Sequence, residues 1–314
     1  MKNAISHAKG VTNVQNSTQF GKSGTAGTVT LYPATAMAGK TVISATNNSG
    51  DYDLTLTNAA LGGARTYTMP DAYADADFVL SKGAYRTQAN LFDDFLGTWA
   101  IGDAGPADQW SSTAGSGTGN QVATTVANSI CGEITMESAS DDGAHAANAT
   151  SLTGVNLGWK ASQGGLMMEA RLKIDDISDA ALFVGFTDTI STTVELPIFL
   201  NGADLDSDAT NACGVGYDTD GTTEQFFHGG VAADVDTVPA YSGSAPVNDT
   251  YFIVRVAVSS AGAVTGYING TPIGDAVASA ITASTAVTPC IVVANRGAAQ
   301  RIVTIDYIHV QQNR

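Results

Sequence analysis

A chain of 314 residues with 44% apolar content and 34 glycines is too apolar for wholesale disorder and too poor in long Lys/Glu/Leu-rich stretches for a helical protein. Fourteen Lys and Arg against 30 Asp and Glu leave a formal charge of −16, which excludes nucleic-acid binding over most of the surface. The length fits two domains, or one large β domain with an appendage.

Residues 1–20 hold few large apolar groups and read as an arm. The start, MKNAISHAKG, lacks the apolar core of a signal peptide, so secretion by the standard route is not expected, and three scattered cysteines read as buried reduced thiols fit assembly in a reducing bacterial cytoplasm. No Asp or Glu precedes Asp51, while Lys2, Lys9, Lys22 and Lys40 do; residues 1–50 carry +4 and residues 51–314 carry −20. Residues 21–81 predict a small β domain. Thr28–Tyr32, Thr41–Thr46, Leu54–Asn58, Arg65–Met69 and Phe78–Leu80 alternate or run apolar between turn signals such as Asn48-Ser49-Gly50 and Pro70-Asp71. Five short strands make a thin core, which implies a partner that completes it.

Residues 82–90 read as a linker, and a second domain is expected over 91–314. Leu166–Ile174 alternates strictly, with Leu166, Met168, Ala170, Leu172 and Ile174 on one face and Glu169, Arg171 and Lys173 on the other. Ala180–Phe186 follows. Tyr251–Val258 returns through Ser260-Ala261-Gly262 to Val264–Ile268, and Asn269-Gly270 is a hairpin turn. Arg301–Val310 reads as apolar on both faces, an interior strand. The two long uncharged runs, Val256–Gly274 and Ala276–Asn295, are broken by Ser, Thr, Gly and Pro and read as strands and turns, with no membrane span expected. The fold class is therefore all-β: a small N-terminal β domain, then a two-sheet antiparallel sandwich.

Two resemblances sharpen this reading. Residues 91–314 resemble the concanavalin-like (laminin-G-like) jelly-roll family in LFDDFLGTW, MMEARLKIDDISDAALFVGFTD, YFIVRVAVSSAGAVTGYINGTPIG and IVTIDYIHVQ. That resemblance implies the fold and no particular activity. Residues 21–81 resemble a module of tailed-phage virion proteins in GTAG-x-V-x-L-x-P-A-T, GARTYT-x-PD and A-D-F-V-L. It implies a structural protein tied to the particle.

Candidate chemistry is sparse. Asp204, Asp206 and Asp208 alternate as calcium ligands do, but Ala209 and Val215 stand where an EF-hand loop needs Gly and Glu. A different calcium loop using Asp218 and Asp220 stays open beside a solvated acidic loop. Glycoside hydrolysis needs two carboxyls about 5–9 Å apart. No Glu-x-Asp-x-x-Glu occurs, and Glu133 and Glu137 are the nearest pair on a strand. Phe226, Phe227 and His228 could form a glycan-stacking platform or a core strand. Trp99, Trp110 and Trp159 carry the same two readings, while Gly115–Gly119 reads as a mobile turn. Cys131, Cys213 and Cys290 show no metal or disulfide spacing.

The expected function is capsid decoration without enzymatic activity. The four leader lysines would dock on the major capsid protein, a homotrimer would form at capsid three-fold positions, and the sandwich would face outward on the virion. The alternative is a receptor-binding tail fibre or spike that recognises a host-surface glycan.

Overall fold

The computed structural model describes residues 28–31, 41–44, 88–95, 109–126, 129, 132–141, 145–189 and 196–314. The chain divides into two compact units, Met1–Phe78 and Val79–Arg314. In the first, β1 (Thr28–Leu31) pairs antiparallel with β2 (Thr41–Ser44), with Val29 opposite Ile43. The three other strands expected there lie outside the described residues, as do Lys2, Lys9, Lys22 and Lys40.

The second unit is a two-sheet antiparallel jelly-roll sandwich. Its strands are β3 (Gln88–Asp93), β4 (Trp110–Ala114), β5 (Gln121–Thr125), β6 (Ile134–Glu137), β7 (Ala149–Gly154), β8 (Leu166–Ile174), β9 (Ala180–Thr187), β10 (Phe199–Asn201), β11 (Asp204–Asp206), β12 (Asn211–Asp218), β13 (Phe227–Ala232), β14 (Ala240–Tyr241), β15 (Phe252–Val258), β16 (Val264–Ile268), β17 (Thr271–Pro272), β18 (Thr288–Asn295) and β19 (Ile302–Asn313). One sheet runs β14-β13-β12-β9-β18-β7-β4; the other runs β17-β16-β15-β8-β19-β6-β5, with β3 paired to the far half of β19. Residues 88–90, expected in a linker, are thus the first half of a strand.

Sequence alternation builds the eight-stranded sheet. In β8 and β15 every second side chain is buried and the others reach the outer face, because strand residues point alternately to the two sides. The inward set packs against Leu182, Val184, Phe186, Val215, Tyr217, Ile291 and Val293 of the seven-stranded sheet. Asn269 and Gly270, at φ 50° and 80°, form the tight turn between β16 and β17 that their sequence predicts.

The seven-stranded sheet is buried on both sides along β9, β12 and β18. Its outer face carries a second apolar cluster, in which Phe183, Ala212, Phe227 and Val292 lie beneath Leu196, Ile198, Leu200, Leu205 and Ala209. The β10–β11 hairpin and its flanks therefore close that face. Asp218, at the end of β12, fastens the cover: its carboxylate accepts the Leu200 N–H at 2.9 Å and pairs with the buried Arg296 guanidinium, whose Nε donates at 2.8 Å.

β19 departs from expectation. It is buried on one side only, and a bulge between Ile305 and Tyr307 resets its alternation. Asp306 and Tyr307 both reach the outer side as a result, while Ile305 and Ile308 stay in the core.

Candidate functional site: the outer face of the eight-stranded sheet

Among the described residues, the β10–β11 cover closes one outer sheet face, and the outer face of the eight-stranded sheet keeps its alternate side chains partly exposed. Register places a continuous row across five of its strands. Phe92 of β3 stands opposite His309 of β19, His309 opposite Glu169 of β8, Glu169 opposite Arg255 of β15, and Arg255 opposite Tyr267 of β16. Neighbours in such a row sit about 5 Å apart, so it spans about 19 Å.

Phe92 is 61% exposed. Its ring lies 5.9 Å from that of Tyr307 and 6.2 Å from that of His309, tilted against the first and edge-on to the second. Beside this three-ring patch, Asn90 is exposed and paired with the half-buried Gln311 on β19. The strand that presents Phe92 is fixed beneath it. Asp93 is buried and accepts the Trp110 Nε1–H at 3.0 Å and the Phe95 N–H at 2.9 Å. Burial raises the Asp93 pKa above its ordinary value, and the two hydrogen bonds oppose that shift.

Further along the face, tyrosines hold the charged groups. The Tyr307 hydroxyl donates to Glu169 Oε1 at 2.9 Å. Burial, then that carboxylate, push its pKa up to about 12, so it remains a donor. The Tyr251 hydroxyl donates to Glu133, and burial with that bond raises its pKa as well. Arg171 stacks over the Tyr251 ring at 4.0 Å and pairs with Asp306; Arg255 stacks over Tyr267 at 4.1 Å.

Most residues singled out in the sequence lie elsewhere. Phe226, Phe227 and His228 are 2%, 1% and 0% exposed, so they offer no platform to a glycan. They sit in β13 and just before it, with Phe226 in the central core and Phe227 under the cover. Trp110 is in the core and Trp159 packs against it, while Trp99 lies outside the described residues. Asp204, the first residue of β11, and Asp208, two residues beyond its end, are exposed, and Asp206 is half-buried. Among the described residues, no group of three or more His, Cys, Asp or Glu side chains is arranged to hold a metal ion. Asp218 is committed to Arg296.

Glu133 and Glu137 share the open face, but four residues of extended chain separate them by about 13 Å, beyond the usual carboxyl spacing of glycosidases. Glu133 accepts Ser129 Oγ at 3.1 Å as well as Tyr251, and Glu137 accepts Gln121 at 2.7 Å and Gln300 at 3.0 Å. The glycine run 115–119, read as mobile, is tied down: Gly117 N–H donates to Ala147 at 2.8 Å and Thr118 N–H to the Asp141 carboxylate at 2.6 Å. Cys213 is buried, and its thiol is pushed up to about 12 by that burial. The Phe92 patch was missed because LFDDF reads as the opening of a domain. The doubled polar step Asp306-Tyr307 within an apolar strand was its available signal.

No family model matches the chain, and no curated protein matches it. Solved structures similar to it include the carbohydrate recognition domain of Emp47p, at 12% identity and TM-score 0.45 over 74% of this chain and 99% of that one. A Bacillus licheniformis β-glucanase is similar at 11% identity and TM-score 0.43, over 70% of this chain and 97% of that one. The apo Crh5 transglycosylase is similar at 13% identity and TM-score 0.43, over 71% of this chain and 84% of that one. These are concanavalin-like jelly rolls. The expectation of a chain without enzymatic activity is withdrawn: a glucanase and a transglycosylase stand among the similar structures.

Proposed function

We propose that the sandwich is a glycan-recognition module that takes an oligosaccharide on the outer face of its eight-stranded sheet. The observation that carries this reading is the Phe92 patch. A phenylalanine exposed to 61%, flanked by two further rings on an open sheet face, is a cluster and not a stray apolar residue. Aromatic faces take the C–H surfaces of sugar rings. The planar polar groups of Asn90, Gln311 and Glu169 stand around the patch with the donors and acceptors that hydroxyl groups need.

The capsid-decoration reading has no support from the fold or its neighbours, and its alternative takes its place. In that alternative the chain is a receptor-binding fibre or spike protein, and the glycan belongs to the host surface. This part rests on the resemblance of residues 21–81 to virion modules. The purified chain, screened on a glycan array, is expected to bind a restricted set of oligosaccharides, and Phe92→Ala to weaken that binding at least tenfold with the fold unchanged by circular dichroism. A Phe92→Ala protein that binds the same glycans equally well contradicts the assignment.

A further inference from the structure

Glu169 and Arg255 are direct cross-strand partners of opposite charge, the arrangement that ordinarily pairs. They form no ion pair. Glu169 is held by Tyr307 on β19, to one side of the seam between β8 and β15; Arg255 lies over Tyr267 on β16, to the other. Arg171, Arg296 and Arg301 each face a carboxylate within 4.0 Å, and Arg255 faces none among the described residues. Three acids of its sheet face are engaged elsewhere: Asp306 by Arg171, Glu133 by Tyr251 and Ser129, Glu137 by Gln121 and Gln300. An acidic chain of net charge −16 thus keeps on this face, among the described residues, one stacked, half-buried guanidinium without a carboxylate partner, besides the Lys173 ammonium 5.1 Å from the Tyr251 ring.

We infer that the ligand of this face is an acidic oligosaccharide, with a sugar carboxylate seated on Arg255 and another ring of the same chain stacked on Phe92. The inference rests on the glycan reading above and names the class of glycan. Guanidinium is planar and presents paired N–H groups that match a carboxylate, and stacking on Tyr267 holds it ready for that contact. Glu169, with Oε2 turned to no described donor, accepts a hydroxyl of the intervening sugar. Phe92 and Arg255 are three strand spacings apart, about 14 Å, so the ligand is an oligomer and not a single sugar. The acidity of the rest of the chain repels such a ligand elsewhere, which confines it to this row.

The test uses the full chain and three probes: oligogalacturonate, a hyaluronan fragment and an oligosialate, each beside the same oligosaccharide with its carboxyl groups reduced to hydroxymethyl. At least one charged form is expected to bind tenfold or more tighter than its reduced counterpart. Arg255→Gln is expected to abolish that preference, Arg255→Lys to restore part of it, and Phe92→Ala to weaken both forms. Retention of the carboxylate preference in Arg255→Gln overturns the inference. So does equal binding of charged and reduced forms, and in that case a loss on Phe92→Ala leaves the glycan reading standing. Binding of none of the three pairs, with neutral glycans bound on the array, also overturns the inference alone; no glycan bound at all removes both.

Discussion

Phe183 and Phe227 lie where side chains of neighbouring glycines would stand. A Cβ on Gly214 would sit 2.4 Å from the Val184 carbonyl oxygen and 2.7 Å from the Phe183 ring, and one on Gly216 would sit 2.3 Å from Phe227. Gly214→Ala is therefore expected to cost about 1–3 kcal/mol or more, read as a lower denaturant midpoint, since the backbone on one side cannot yield. An unchanged midpoint would show that the ring moves aside freely. His228 gives a pH signature. Its Nε2 lies 3.0 Å from the Asp275 carbonyl and donates to it, while Nδ1 is buried without a partner, so a second proton has no acceptor. Burial lowers its pKa below the ordinary 6.5. Between the folded and unfolded values the unfolded chain binds the extra proton, so the contribution is complete above about pH 6.5 and is lost as pH falls below it. His228→Gln is expected to flatten the stability profile between pH 6.5 and 5; an equally steep profile in the variant would assign that slope to other groups. Neither residue's setting was legible in the sequence. FFHGG fits a surface platform and a core strand equally, and only pairing of β13 with β12 decides between them.

At the scale of elements, strands with one wet face were readable, whereas of the three strands with two dry faces only β9, expected over Ala180–Phe186, was. β8 and β16 have the predicted ends, and β15 differs by one residue, because a single buried side leaves a period of two in the sequence. β12 reads NACGVGYD, whose small residues reveal nothing of the hairpin that lies on it. The bulge in β19 hid its outer side by breaking that period at Asp306. The cover itself makes a prediction. Leu205 is 6% exposed in the second apolar cluster, and Leu205→Ala is expected to destabilise the fold by about 2–5 kcal/mol. If the hairpin were a loosely attached flap, the loss in a urea titration would stay well below 1 kcal/mol.

For the whole molecule, the second unit has its own core and strand network, and β3 belongs to it. A fragment starting at residue 86 is expected to unfold cooperatively, and one starting at residue 91 to be less stable, because it loses the Asn313–Gln88, Gln312–Ala89 and Gln311–Asn90 pairings. Equal midpoints for the two fragments would show that the first half of β3 contributes nothing. The sandwich was legible in strand spacing and alternation, whereas the choice of binding face was not. That choice depends on which sheet the β10–β11 hairpin covers, a long-range contact with no local signature. The central claim, that glycan meets the outer face of the eight-stranded sheet, is tested most directly by a photoreactive derivative of the best array ligand, cross-linked to the full chain and mapped by mass spectrometry. The account predicts adducts in 88–95, 166–174 and 302–313, competed away by unmodified glycan and absent in Phe92→Ala; competed adducts confined to 196–241, on the cover and the sheet beneath it, would contradict it.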